Sequence, residues 1–159
     1  MPVPSGWTDE LLSVHMIEHV LPPLLRDTIR EWSRVLRVGG TLRIHTPNGD
    51  ALGRALVDSA SGERDHFWAV QSAIYGYGPG PEEATGPERL GGRGDHKMLF
   101  TFSVLRRMLE DAGFWQVKDV SGEDPCYHSL AWEAYVPGLC LEVQALKGRA
   151  SSEHLQDGH

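Results

Sequence analysis

Between residues 25 and 36, apolar side chains return at Leu25, Ile29, Trp32 and Leu36, the rhythm of one helix face. Arg26, Asp27, Arg30 and Glu31 fall off that stripe, so the spacing predicts a helix over 23–36 with one buried side. Pro22-Pro23 suit its first turn, where a missing N–H costs little. Gly39-Gly40 predict its end, because glycine accepts the left-handed conformation of a helix stop. Before the helix, the mostly apolar run DELLSV predicts a short buried strand over 10–14. After it, TLRIHT alternates and is rich in strand formers, predicting a strand over 41–46 that Pro47-Asn48-Gly49 stops.

Further along, helices are expected over 50–57 and 64–75. Residues 76–95 hold seven glycines and three prolines, which predicts a long loop of the kind that carries function. Thr101 can cap a helix over 102–112, with Val104, Leu105, Met108 and Leu109 on one face and Gly113 after it. Strands are expected over 115–120 and 139–147, the latter with Leu141, Val143 and Ala145 alternating. The early order implies a parallel sheet with covering helices. The last two strands have no helix between them, so one of them runs antiparallel. We expect one domain over 1–148 and a flexible polar tail over 149–159.

Composition narrows the partners. The 159 residues carry a net charge of -7 and no basic run longer than Arg106-Arg107, which argues against a broad nucleic-acid or anionic-membrane face. A tRNA or rRNA substrate stays open. Two cysteines, Cys126 and Cys140, make no disulfide framework and fit a reducing cytoplasm. No signal sequence and no membrane-length apolar stretch is present, so no membrane partner is expected.

The densest chemistry is His15-Met16-Ile17-Glu18-His19. As H-x-x-E-H it fits an inverted zinc-peptidase signature. That chemistry needs both histidines on one continuous helix, and Pro22 leaves at most two turns. A strand before it and a proline pair after it favour a strand-to-helix corner, and no bound metal is expected.

DELLSVHMIEHV, IREWSRVLRVGGTLRIHTPNG and DHKMLFTFSVLRRMLEDAGFWQV, in this order and spacing, resemble the C-terminal half of a class I S-adenosylmethionine-dependent methyltransferase, type 11-like. The resemblance runs from about Asp9 to Lys147. It implies an α/β fold, a partial Rossmann-like sheet with strands equivalent to 4-5-7-6, the last antiparallel, and flanking helices. It implies S-adenosylmethionine as cofactor and methyl transfer to a small-molecule acceptor. Ser13, His15, Glu18 and His19 would line the cofactor, Asn48 and Tyr75 the acceptor. His96 would be a general base, with His15 beside it at the reaction centre. The family's glycine-rich cofactor turn has no counterpart here, which implies an incomplete cofactor site, and the loop Gly76-x-Gly78-x-Gly80 does not replace it. A strand 4 without its neighbours would be a sheet edge, so a second copy or a partner chain is expected to cover Glu10–Val14. The alternative reading is a non-catalytic methyltransferase-like module for binding or assembly.

Overall fold

The computed structural model describes residues 3–59, 64–79, 90–91, 95–121 and 140–148. Four strands form an open sheet in the order β1–β2–β6–β5: β1 is Thr8–Val14, β2 Leu36–Pro47, β5 Phe114–Asp119 and β6 Cys140–Lys147. β1 and β2 run parallel, while β6 is antiparallel to both of its neighbours. The physical basis is legible in β6. Leu141, Val143 and Ala145 are fully or almost fully buried, and they alternate as one strand face must. Between them, Glu142 stands directly opposite His45 of β2, and both are buried. Both faces of these central strands are thus covered.

The helices supply the cover. α1 (Leu25–Val35) follows a 3₁₀ turn over Pro22–Leu24 and buries Leu25, Ile29, Trp32 and Val35. α4 (Phe102–Asp111) buries Leu105 and Leu109. Leu25, Ile29, Trp32, Leu105 and Leu109 join Leu42, Ile44, Leu141, Val143 and Ala145 in one core cluster. α2 (Gly49–Ser59) and α3 (Arg64–Tyr75) pack against each other, with Leu52 and Val70 fully buried. No helix among the described residues is long and apolar enough to cross a membrane.

Three expectations change in detail. Gly39 and Gly40 do not end α1; they lie within β2, because the chain turns extended at Leu36, whose N–H still bonds to Trp32 O. The pairing with β1 jumps from Thr8↔Leu36 to Glu10↔Thr41, and the glycines sit in that irregularity. Gly39 has φ +80, and a Cβ on Gly40 would lie 2.9 Å from Arg37 O and 3.0 Å from Asp9 O. Val104 leaves the predicted face of α4 and is half exposed. Part of the 76–95 loop is ordered as a two-stranded ladder, β3 (Gly78–Pro79) with β4 (Leu90–Gly91). Most of that loop, Cys126, Leu139 and the 149–159 tail lie outside the described residues.

Candidate functional site

The site grows from the carboxyl end of β1. His15 continues the parallel ladder, its N–H bonding to His45 O at 2.9 Å, and then adopts φ +45. A left-handed non-glycine residue is strained, and histidine is among the types found there more often. The reversal opens a 3₁₀ turn over Ile17–His19 that folds Glu18 back beneath the strand end.

Glu18 is completely buried, which for a carboxylate requires partners. It has them on both oxygens. His15 Nδ1–H donates to Oε1 at 3.0 Å, and Thr46 Oγ1 donates to Oε2 at 3.3 Å. The Glu18 main-chain carbonyl accepts from the N–H groups of Lys97 at 2.7 Å and Met98 at 3.1 Å. One residue therefore ties together the ends of β1 and β2 and the segment leading into α4. Gly49 closes the same seam. Its N–H bonds to Phe100 O at 2.7 Å, and a Cβ there would meet that oxygen at the same 2.7 Å.

The segment 95–98 brings His96 to His19, with ring centroids 4.9 Å apart in an edge-to-face arrangement. Both rings are held by acceptors. His96 Nδ1–H donates to the carbonyls of Ala73 at 3.1 Å and Ile74 at 3.3 Å. His19 Nδ1–H donates to Asp95 O at 3.2 Å, with Asp95 Oδ2 3.5 Å away. Carbonyls only accept, so each Nδ1 carries a proton, and in the neutral ring Nε2 is the nitrogen with the lone pair. Burial lowers the pKa of His96 from its ordinary value, against the pull of Glu18, which favours the charged form. The hydrogen bond from Lys97 at 3.2 Å holds the exposed Asp95 carboxyl below its ordinary value. Gly76, at φ +73, makes room for the His96 ring: a Cβ would come within 2.5 Å of its Cδ2.

Of the residues singled out in the sequence, His15, Glu18, His19 and His96 are brought together. Tyr75 is half exposed at the end of α3 and joins them only through its carbonyl, which accepts the His96 N–H at 3.2 Å. Asn48 is placed on the same rim but as a cap. Its Oδ1 accepts from the N–H groups of Asp50 and Ala51, each at 3.1 Å, and so starts α2. Ser13 is buried near the end of β1, and its Oγ has no hydrogen-bond partner within the described structure. Sequence reasoning missed Thr46 and Asp95; only the buried carboxylate and the ring geometry identify them. The zinc-peptidase helix is not formed, since His15 is left-handed and the turn after it is a single 3₁₀ turn.

No protein-family model matches the chain, and no curated protein matches its sequence. Solved structures do match. SibL, an S-adenosylmethionine-dependent methyltransferase solved in its apo form, is 15% identical with a TM-score of 0.54, over 92% of this chain and 32% of its own. A protein of Bordetella parapertussis described as a possible exported protein is 18% identical with a TM-score of 0.55, over 92% of this chain and 41% of its own. The complex between the Haloferax volcanii methyltransferase activator Trm112 and a candidate methyltransferase gives 13%, 0.50, and 94% and 58% coverage. The open mixed sheet with flanking helices matches part of the Rossmann-like fold of the methyltransferases among these structures. It spans less than two thirds of the length of each of these three chains.

In open α/β sheets, ligands bind beyond the carboxyl ends of the parallel strands. The ends of β1 and β2 are where Glu18, His15 and Thr46 converge. The glycine triplet that would cradle an adenosyl cofactor is absent from the described strand-to-helix turns. The partnerless Ser13 hydroxyl at the strand end fits a polar ligand there.

Proposed function

We propose that this chain contributes the strand-end half of an S-adenosylmethionine-dependent methyltransferase that acts on a small-molecule acceptor. The observation that carries the reading is the open sheet shared with SibL, together with the buried Ser13 hydroxyl at this chain's strand ends, which has no partner among the described residues. When bound, S-adenosylmethionine supplies a methyl group on a sulfonium. The chain's own part is positional. Ser13 and His15 would line the cofactor side of the rim. Glu18 holds His15 in place and pins the 95–98 segment across it. His96 offers an unprotonated Nε2 that can take the proton released by an attacking hydroxyl or amine. A dry, pre-oriented pocket is most of what such a displacement needs.

One structural relative is complexed with a methyltransferase activator. On the same pattern, a second copy or a partner chain would cover the β1 edge and complete the cofactor site. Titration calorimetry with S-adenosylmethionine tests the proposal. Binding heat that Ser13→Ala weakens several-fold is the expected result. No heat at millimolar cofactor would remove catalysis by this chain alone and leave it a binding module.

A further inference from the structure

We propose that Glu18, His19 and His96 form a binding site for a divalent first-row transition-metal ion. One donor atom of each lies within 4.8 Å of the donors of the other two. Two imidazoles and one carboxylate suit zinc, iron, cobalt or nickel ions; magnesium and calcium prefer all-oxygen sites.

The surroundings are those of ligands already oriented. A metal-binding imidazole typically donates its other ring N–H to a carbonyl or carboxylate, which fixes the tautomer and aims the lone pair. Both rings do this: His96 to Ala73 O and Ile74 O, His19 to Asp95 O with the Asp95 carboxylate beside it. Glu18 is fully buried, and His15 and Thr46 each hold one of its oxygens, leaving lone pairs for an ion. The left-handed Gly76, whose Cβ would strike the His96 ring, lets that ring reach the cluster. Metal bonds are about 2.0–2.2 Å, so an ion would draw the donors inward by a small rotation of two imidazoles. Three protein donors leave room for water or a ligand oxygen, and His19 is partly exposed. The assignment has a chemical consequence: with an ion bound, His96 Nε2 is a ligand and no longer a proton acceptor. The site stands on this geometry alone and does not depend on the methyl-transfer reading.

The test uses the full, untagged chain, stripped with chelator and dialysed. Co(II) and Zn(II) are titrated by calorimetry, with Co(II) also followed by its visible absorption and Mg(II) as the comparison ion. One equivalent of Co(II) or Zn(II) should bind, with a d–d spectrum for Co(II) and little heat from Mg(II). Affinity should fall at least about tenfold in His96→Gln and in His19→Gln, and less in His15→Gln, which only positions Glu18. His19 is partly exposed, so its variant should fold, and thermal unfolding followed by circular dichroism checks each variant. Absence of binding at about 100 µM ion would overturn the proposal, as would binding that the folded His19→Gln variant leaves unchanged.

Discussion

Glu18 illustrates how one buried residue can organise a site. An isolated carboxylate taken out of water costs several kcal/mol, which only hydrogen bonds and counter-charges offset. Here His15 and Thr46 supply hydrogen bonds, while the residue's main-chain carbonyl fastens Lys97 and Met98. The H-x-x-E-H run was readable as a strand-to-helix corner, because a proline pair follows it within three residues. What it encloses was not readable. Asp95, whose carbonyl fixes His19, lies 76 positions away, and no local pattern announces a contact of that separation. His96 also makes a prediction for the metal-free protein. Burial lowers its pKa, so the folded chain takes up this proton at a lower pH than the unfolded chain does. Stability from this residue is therefore fully present above the ordinary histidine value of roughly 6.5 and is lost as pH falls through the lowered folded value. An NMR titration of the His96 ring in chelator should give a midpoint below that of a model peptide. A midpoint at or above it would contradict the burial argument.

At the scale of the elements, periodicity succeeded where one face meets one core. The stripe Leu25, Ile29, Trp32 and Leu36, and the alternation Leu141, Val143, Ala145, are buried as their spacing requires. Thr101 caps α4 as expected, its Oγ1 accepting from Val104 N–H at 3.4 Å. Local cues failed where a tertiary contact overrode them. Gly39-Gly40 look like a helix stop, yet the chain leaves the helix earlier because Leu36 is buried and pairs with Thr8. Val104 follows the helix rhythm but lies at the flank of the stripe, half exposed. Asn48 is the test case for function against structure at this scale. If its role is to start α2, Asn48→Ala should cost about 1 kcal/mol in chemical denaturation, and Asn48→Asp, an equally good cap, should cost little. Loss of ligand binding in Asn48→Asp with stability intact would instead give the side chain a direct role at the rim.

For the whole molecule, the consequential feature is the open sheet. The strand order β1–β2–β6–β5 followed from the resemblance to a methyltransferase half, and the structure has it, including the antiparallel β6. Among the described residues β1 is an edge strand of this sheet, with Leu12 exposed on it. A parallel-sheet edge with unpaired backbone groups is a template for another strand. We therefore predict a dimer that covers Glu10–Val14. Sedimentation should show twice the chain mass, and amide exchange along β1 should be slow at high protein concentration. A monomer with rapidly exchanging β1 amides would refute this.

The proposed function makes the strand-end corner of β1 and β2 a cofactor rim. The most direct measurement is an amide NMR spectrum of the labelled chain, recorded as S-adenosylmethionine is added to millimolar concentration. Saturable shifts concentrated at Ser13, His15, Glu18 and Thr46 are expected. Shifts elsewhere, or none at these residues, would contradict it.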